Sequence, residues 1–360
     1  MKVLIISGVG WNENYQRQQK IATEICNLGH EVDYMQGFVT SKFKVSKFKS
    51  YINKVFINQP KTKITKIQNE KPKELSINSI FTLPSTNIAF DLINSSLVKK
   101  KSQHYDLVIS YLPVRSVHHY ISSLPNHPYV IYDCVRNFPD WPGYPSDMIK
   151  QEKEFIDIVD DIWVDSFWLK DKFENYGFNP KQLLPTIDLS VFNKTKQSVS
   201  KIKNIVYYGL ISHKIDLEAI KILLDSDYGI TFIGPKESNV DLDERIRHIP
   251  QSSQKYIVKY VYENADALII PYVSSGMDGV IPAKTIECLS FGIPTFLSSF
   301  FDSQKLNDYF YVYRDSNELK NMINNFDKNE FDVRRLRSLA FVGENDKGSL
   351  VEFIEKNVNV

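Results

Sequence analysis

Residues 265–299 have the sequence ADALIIPYVSSGMDGVIPAKTIECLSFGIPTFLSS, and this stretch decides the fold. Residues 267–270 form a short apolar run typical of a buried strand. Pro282 suits the first turn of a helix, where a missing N–H costs nothing, and Gly292 with Pro294 ends that helix. A second strand starts at Pro294. The order strand, loop, helix, strand predicts a parallel α/β structure.

The loop and helix of this stretch carry residues suited to an anionic ligand. A helix that begins at the carboxyl end of a parallel sheet favours a phosphate there. Gly276 and Gly279 let the backbone approach such a ligand closely. Lys284 and Glu287 share one helix face, so a cation can meet phosphate while a carboxylate meets sugar hydroxyls. The same spacing also fits an exposed ion pair worth only about 0.2–0.5 kcal/mol.

A longer pattern resembles a known donor-site signature. P-x-K-x-x-E-x-x-x-x-G-x-P, at Pro282, Lys284, Glu287, Gly292 and Pro294, is similar to that of GT-B glycosyltransferases, especially the family-4-type enzymes of bacterial polysaccharide synthesis. The resemblance implies an α/β fold with two Rossmann-like domains facing a central cleft. It also implies that Glu287 binds the ribose of a nucleotide-sugar and that the preceding loop holds the diphosphate.

The chain departs from this family in one respect. Many members carry a second glutamate seven residues before the first, where this chain has Val280. The paired-glutamate motif is therefore incomplete, and the contact to the donor sugar itself is not implied. The donor-binding residues that the resemblance predicts here are Ser275, Gly276, Met277, Asp278, Gly279, Val280, Thr285 and Glu287.

Composition places the chain among globular proteins with more than one domain. It has 360 residues, 42% hydrophobic and 24% charged, with a net charge of +1. No apolar run approaches the roughly 18–20 residues that span a bilayer. The three cysteines, Cys26, Cys134 and Cys288, are odd in number and scattered, which suggests neither a disulfide framework nor a metal site. We therefore expect a cytoplasmic protein.

The domain boundaries follow from the pattern along the chain. We predict an N-terminal Rossmann-like acceptor domain over residues 1–190, with a basic insertion at about 41–73. A C-terminal Rossmann-like donor domain is predicted over 204–335, after a polar linker at 194–203. The chain end from Asp332 to Lys356 is predicted to be helical with a break near Gly343, and the C-terminal helix over 336–360 is expected to pack back towards the N-terminal domain, as the resemblance implies.

The first half of the chain supplies the predicted acceptor side. A strand at Lys2–Ser7 is followed by Gly10 and Trp11, and Trp11 with Arg17 resembles a W…R pattern in the acceptor-facing loop of some family members. Alternatively, Trp11 only plugs the loop. Asp133, the candidate catalytic residue of this half, and Arg136 lie at the carboxyl end of a predicted strand, where ligands collect. Asp133 is expected either to contact the acceptor or to cap the turn.

The second half repeats the motif of a strand, a glycine turn and a cation before a helix. Gly209 follows the strand at 204–208, and Lys214 resembles the family's cation on the diphosphate. In the family, the segment around His248 lies by the nucleobase. Asp241 and Asp243 spell D-x-D, but they do not follow a strand end in the setting that a metal site of that type needs, so no metal is predicted.

The segment from Ser41 to Lys73 is unusually basic. It holds ten Lys and one Glu, interleaved with aromatic residues. It is either a solvated insertion or a surface that meets anionic lipid, where each Lys contributes on the order of 1 kcal/mol. Nothing else in the chain suggests a nucleic-acid module. The lipid alternative places Lys42–Lys73 at the inner face of the cell membrane.

Together these patterns predict metal-independent glycosyl transfer, with retention and without a cofactor. The predicted donor is a UDP- or GDP-linked sugar, and the acceptor is a hydroxyl of a glycan, which suits a lipid-linked one. Lys214 and Lys284 would stabilise the leaving diphosphate. Two alternatives stay open: a non-catalytic GT-B partner subunit that binds an acceptor or another transferase, and a GT-B sugar-nucleotide epimerase.

Overall fold

The structure is a computed structural model that describes most of the chain. The described residues are 1–13, 15–40, 71–84, 88–99, 103–140, 143–192 and 199–358. The predicted basic, lipid-facing segment at 42–73 therefore lies outside the described residues, apart from its last three positions.

Two compact units make up the chain. The first comprises Met1–Asp165, Leu169–Leu183 and Val351–Val360, and the second comprises Ser166–Trp168 and Leu184–Leu350. The division falls at Leu183, before the predicted linker at 194–203. Val199 and Ile202, two apolar residues of that predicted linker, are buried in the core of the second unit.

The first unit is built on a seven-stranded parallel sheet of order β3-β2-β1-β4-β5-β6-β7. The central strands β1, β4, β5 and β6 are short and mostly apolar, as expected for a sheet covered on both faces, and Val3 to Ile6 of β1 are fully buried. The strand order reverses between β1 and β4. The strands are β1 (Lys2–Ser7), β2 (Glu31–Gln36), β3 (Leu75–Ser79), β4 (Leu107–Ser110), β5 (Tyr129–Cys134), β6 (Asp161–Val164) and β7 (Lys181–Gln182).

The second unit repeats this plan with six parallel strands of order β10-β9-β8-β11-β12-β13. Here the order reverses between β8 and β11, which is the topological switch point where open α/β sheets bind ligands. The strands are β8 (Asn204–Tyr208), β9 (Gly229–Ile233), β10 (Arg247–Ile249), β11 (Ala267–Ile270), β12 (Thr295–Ser298) and β13 (Tyr311–Tyr313).

Helices connect the strands and cover the sheets. They are α1 (Arg17–Asn27), α2 (Ile88–Lys99), α3 (Arg115–Ser122), α4 (Met148–Ile156), α5 (Phe167–Asn175), α6 (Leu217–Leu224), α7 (Gln254–Asn264), α8 (Ala283–Leu289), α9 (Phe301–Lys305), α10 (Ser316–Asn324), α11 (Lys328–Glu344) and α12 (Lys347–Val358). The C-terminal helix predicted over 336–360 is thus two helices, α11 and α12, of which only Val351–Val360 belongs to the first unit. Among the described residues, none of these helices is both long and apolar enough to cross a membrane.

The helices α6 and α8 lie on opposite faces of the second sheet. The crossovers β8–α6–β9 and β11–α8–β12 run in opposite directions across the sheet, and both are right-handed by the general rule for parallel strands. In agreement, α6 packs against α10, whereas α8 packs against α11. The switch point therefore lies between two helices that approach from different sides.

The helix α8 has the orientation that its sequence predicts. Pro282 is its N-cap, and Gly292, with a φ of +64°, follows its end. Ile286 and Leu289 are buried in the core, while Lys284 and Glu287 stay partly exposed on the other side. The pair therefore stands beside the switch point.

Candidate functional site

Two loops meet at the switch point of the second sheet: residues 209–216 after β8 and residues 271–282 after β11. Backbone hydrogen bonds join them, from the Asp216 N–H to the Pro271 oxygen at 2.7 Å and from the Val273 N–H to the Lys214 oxygen at 2.8 Å. Ile215 and Tyr272 also form an antiparallel bridge. The two loops thus hold each other in place and fix whatever side chains they carry.

Lys284 projects from α8 onto the end of β8. Its Nζ donates to the Tyr207 hydroxyl at 2.9 Å and to the Tyr208 carbonyl oxygen at 3.0 Å. The ammonium also lies 4.4 Å from the centre of the Tyr207 ring and 5.2 Å from that of Tyr272. All these partners are neutral, and the two hydrogen bonds leave one N–H of the ammonium for a ligand.

Gly209 is required by this arrangement. Its φ is +127°, and a Cβ at this position would overlap the Lys284 ammonium. A Cβ on Gly234, whose φ is +148°, would in turn overlap the Gly209 carbonyl oxygen. The glycine turn after β8 therefore allows a cation to lie directly against the backbone.

Lys214 stands against the second loop in a similar way. Its Nζ donates to the Ser275 carbonyl oxygen at 3.2 Å and would lie 3.3 Å from a Cβ on Gly276, whose φ is +75°. Within the described part of the chain, neither Lys214 nor Lys284 has a carboxylate in ion-pair range. The switch point is therefore positively charged, which suits a phosphate group.

Glu287 stands one turn along α8 from Lys284. The neighbouring Cys288 thiol donates to the Tyr208 hydroxyl at 3.4 Å. Burial raises the pKa of Tyr208 well above its ordinary value, and the nearby Cys288 and Glu287 raise it further. Tyr208 is therefore a neutral hydroxyl that lies close to the Glu287 carboxylate.

The loop predicted to hold the donor divides into buried and exposed positions. Ser275, Gly276 and Asp278 are exposed, Val280 is half-buried, and Gly279 is buried with a φ of +72°. The side chains of Met277 and Thr285 are buried, at 7% and 0% exposure, and the Thr285 hydroxyl has no partner in the described part of the chain. Any contact of Met277 and Thr285 with the donor would therefore involve their backbone atoms and not their side chains.

His248 is separated from the lysines. It lies on β10, the edge strand two positions from β8, and is exposed. Its Nε2 is 2.9 Å from the Gly234 carbonyl oxygen, so this nitrogen carries the proton. The Gly234 turn, which touches Gly209, is the only described link between His248 and the switch point.

In the first unit, the structure brings two predicted residues together as an ion pair. The Arg17 guanidinium donates to Asp133 through Nε at 2.9 Å and through Nη2 at 3.0 Å, and through Nη1 to the Leu183 oxygen at 2.7 Å. The Asp133 side chain is fully buried, and that of Arg17 is 14% exposed. Asp133 is thus held by a guanidinium, which neither sequence alternative for it anticipated.

The other predicted acceptor-side residues separate into a core residue and surface positions. Trp11 is 1% exposed, packs edge-on against Tyr34 with ring centres 5.1 Å apart, and donates its backbone N–H to Gln36. Its position matches the alternative in which it plugs the loop. Gly10 and Arg136 are half-buried, and the Arg136 guanidinium lies 6.0 Å from the centre of the Phe138 ring.

One residue of the D-x-D pair in the second unit, Asp243, is engaged by an arginine. Asp243 forms an ion pair with Arg245 at 2.6 Å, and this hydrogen-bonded partner lowers the pKa of Asp243. In the part of the chain that the structure describes, no group of three His, Cys, Asp or Glu side chains could hold a metal ion.

Sequence reasoning missed three residues of the site. Tyr207 and Tyr208 end β8, and Tyr272 follows β11; all three surround Lys284 or Glu287. Their position beside a strand end at the switch point is the sequence feature that could have identified these tyrosines as site residues. Their aromatic character alone predicts only buried strand residues.

Comparisons with known proteins bear on the fold. No protein-family model matches the sequence, and no curated protein matches it. Among solved structures, sucrose-phosphate synthase from Thermosynechococcus elongatus is 11% identical, with a TM-score of 0.71 and coverage of 99% of this chain and 98% of that chain.

Two further structures are similar over the same span. The HepE protein of Anabaena, in complex with UDP and glucose, is 10% identical, with a TM-score of 0.66 and coverage of 100% and 99%. A Listeria monocytogenes protein assigned as a UDP-N-acetylglucosamine 2-epimerase is 11% identical, with a TM-score of 0.55 and coverage of 99% and 95%. The matches span both units, and the chain has the GT-B fold predicted from its sequence.

Proposed function

We propose that the chain is a glycosyltransferase that moves a sugar from a nucleotide-sugar, UDP- or GDP-linked, to a hydroxyl of a glycan acceptor. The transfer proceeds with retention and needs no metal. The observation that carries the proposal is the pair of ammonium groups, Lys214 and Lys284, each held against a glycine turn at the switch point. The likeness to HepE, which is in complex with UDP and glucose, supports the choice of ligand.

The chemistry of these lysines fits a leaving diphosphate. When the sugar leaves, negative charge grows on the diphosphate, and fixed cations stabilise this transition state more than the ground state. Lys284 is already oriented by Tyr207 and Tyr208, so little rearrangement is needed as the charge develops. Glu287, which is partly exposed one turn further along α8, binds the ribose hydroxyls.

The first test measures nucleotide binding. Thermal unfolding is followed with millimolar UDP, GDP, ADP or CMP for the wild type, Glu287→Ala and the control Glu263→Ala, an exposed glutamate of α7. A ligand at about 100 times its Kd stabilises by roughly 2.7 kcal/mol, which raises Tm by a few degrees. We expect a rise with UDP or GDP that only Glu287→Ala loses. No rise with any of the four nucleotides contradicts the proposal.

The second test follows the sugar. Proton NMR of UDP-glucose or UDP-N-acetylglucosamine with the protein and a glycan acceptor reports both the new bond and its anomeric configuration. We expect a product with the donor's configuration. The same spectra without acceptor reveal conversion of the donor to its 2-epimer, which would favour the epimerase alternative suggested by the Listeria likeness.

The buried Arg17–Asp133 pair favours one alternative function. Asp133 is the candidate catalytic residue of the first half, and its carboxylate is fully buried and bound to a guanidinium. A non-catalytic partner subunit needs no free carboxylate at this position. No rise in Tm with any nucleotide, together with no transfer of the sugar, would support this alternative, whereas binding of a nucleotide diphosphate through Glu287 would count against it.

The basic segment at 42–73, which lies outside the described residues except for its last three positions, gives a separate proposal. Its lysines and aromatic residues bind anionic lipid at the cytoplasmic face of a membrane that carries the acceptor. We expect the protein to sediment with anionic vesicles, but not with neutral ones, at about 0.05 M salt. Sedimentation that is equal with both kinds of vesicle, or absent with both, contradicts this proposal.

A further inference from the structure

A second cavity opens at the carboxyl edge of the second sheet, beside the lysine site. Its volume is about 520 Å³, within the range of roughly 300–1,000 Å³ typical of small-molecule pockets. The wall includes the start of α6, the segment after β11, and the ends of β12 and β13. All of these belong to the second unit.

This cavity is distinct from the site around Lys284. Its wall includes the start of α6, whereas Lys284 and Glu287 belong to α8, which packs against a different helix from α6. Lys214 and Lys284 do not line the cavity. The shared segment 272–274 has the cavity on one side and leads on the other into Ser275, which accepts a hydrogen bond from Lys214.

The cavity wall is acidic. Asp216, Glu218 and Asp241 contribute carboxylates. The two basic groups in the wall already have carboxylate partners: Arg314 pairs with Glu318 at 3.0 Å, and His213 lies 3.2 Å from Glu237. Among the described residues that line the cavity, no cation is left without a carboxylate partner, so the three carboxylates disfavour an anionic group such as a phosphate.

Aromatic and hydroxyl groups complete the wall. Tyr272 and Tyr313 supply ring surfaces, and Ser298 and Ser299 supply hydroxyls. Tyr313 is 2% exposed, and its hydroxyl has no hydrogen-bond partner in the described part of the chain. A buried hydroxyl without a hydrogen-bond partner is unfavourable, and a ligand hydroxyl can supply the missing partner.

We propose that this cavity binds a carbohydrate that carries no acidic groups. Carboxylates only accept hydrogen bonds, so they suit ligand hydroxyls, which donate. Aromatic faces, whose quadrupole is negative, suit the C–H groups of a sugar ring. Acidic glycans and nucleotides are disfavoured by the same carboxylates. The inference does not rest on the transferase function: Tyr272 is shared with the lysine site, but Glu218, Asp241 and Tyr313, which the test changes, line the cavity and are not assigned to the donor.

The test compares neutral and acidic oligosaccharides of equal length. Saturation-transfer NMR and calorimetry are run with maltotriose, N,N′,N″-triacetylchitotriose and trigalacturonate. We expect at least one neutral trisaccharide to bind about tenfold or more tightly than trigalacturonate. Glu218→Gln, Asp241→Asn and Tyr313→Phe should each weaken that binding about three- to tenfold, while nucleotide affinity stays unchanged.

Two controls make the result decisive. Glu263→Gln removes an exposed carboxylate on α7, outside the cavity, and should leave trisaccharide binding unchanged. Thermal unfolding of each variant shows that it is folded. Binding of none of the three trisaccharides, stronger binding of trigalacturonate, or neutral binding that survives all three cavity variants would each overturn the proposal.

Discussion

At the carboxyl edge of the first sheet, the guanidinium of Arg17 and the carboxylate of Asp133 neutralise each other, whereas at the edge of the second sheet Lys214 and Lys284 have only neutral partners. The first pair is almost completely buried, and the lysines are partly exposed. The six strands of the second sheet follow the same order as the first six of the first sheet, so the two edges have a similar backbone plan and differ in their side chains.

This contrast separates structural charge from charge available to a ligand. A buried ion pair that is fully hydrogen-bonded holds loops together but offers little to a ligand. An ammonium held by hydroxyl and carbonyl oxygens keeps its charge, and a phosphate can complete its coordination. The second unit therefore carries the stronger case for a ligand site.

The largest effect is expected when the ion pair is broken. Arg17→Met leaves the Asp133 carboxylate buried without a partner and should lower the free energy of unfolding by about 3–5 kcal/mol. Thermal and urea unfolding measure this loss of stability. The double variant Arg17→Met/Asp133→Leu should be less destabilised than Arg17→Met, because it removes the uncompensated charge. If Arg17→Met is as stable as the wild type, the pair is not structural.

A smaller effect, on binding instead of stability, is expected at Lys284. Lys284→Met keeps much of the chain length but removes the charge, and a hydrogen bond to a charged group is worth about 1.5–3 kcal/mol. Calorimetry should show UDP or GDP affinity lowered about 10- to 100-fold with little change in Tm. The control Lys259→Met changes an exposed lysine of α7 and should bind normally. Equal affinities for the two variants would remove Lys284 from the site.

Replacement of the glycine beneath Lys284 tests how the lysine is positioned. Gly209→Ala adds a Cβ that overlaps the ammonium, while Gly177→Ala, at a φ of +87°, meets nothing within 4 Å. Both should lose about 1–2 kcal/mol of stability from the positive φ. Only Gly209→Ala should also weaken nucleotide binding, by several-fold. Normal nucleotide affinity in Gly209→Ala would show that the close approach does not matter.

The smallest effect is expected for two buried cysteines, Cys134 in the first unit and Cys288 in the second. Burial raises the pKa of Cys134 and of Cys288 from 9 to about 12. Since folding raises these values, the contribution of both thiols to stability is complete below pH 9 and is lost as the pH rises towards 12. At pH 8, a thiol reagent should label both about 100-fold or more slowly than in unfolded protein, because the thiolate is the reactive form.

Bound nucleotide should distinguish the two thiols. Cys288 follows Glu287 on α8, so a ligand that holds this helix should slow its labelling further, while labelling of Cys134 in the first unit stays the same. Mass spectrometry of the labelled peptides measures both rates. Equal slowing of the two thiols would mean that the ligand stabilises the whole chain without a preference for the second unit.

Much of the fold was predictable because it depends on short-range pattern. The apolar run at 267–270, the proline at the start of α8 and the glycine after it predict a strand and a helix directly. The three-residue spacing of Lys284 and Glu287 likewise places them on one helix face. The helical chain end was also predicted with a break near Gly343, and in the structure α11 ends at Glu344 and α12 begins at Lys347.

The partners of the site residues were not predictable in this way. Arg17 and Asp133 are 116 residues apart, and Lys284 is 77 residues from Tyr207. No local pattern specifies which distant strand ends become neighbours, so Asp133 was assigned a contact with an acceptor or a turn instead of an ion pair. Met277 and Thr285 stay predicted donor-binding residues; their side chains are buried, and the predicted contact of the loop that contains Met277 is through its backbone N–H groups.

The sequence by itself determined the two α/β halves, the glycine turns and the lysines beside them, because strands, helices and turns depend on neighbouring residues. Only the tertiary structure decided which charges are paired and which are available. That outcome depends on the order of the strands, since it brings the ends of β8 and β11 together and sets Tyr207 and Tyr208 beneath Lys284. The free energy of a charge depends on its surroundings, and those surroundings come from distant parts of the chain.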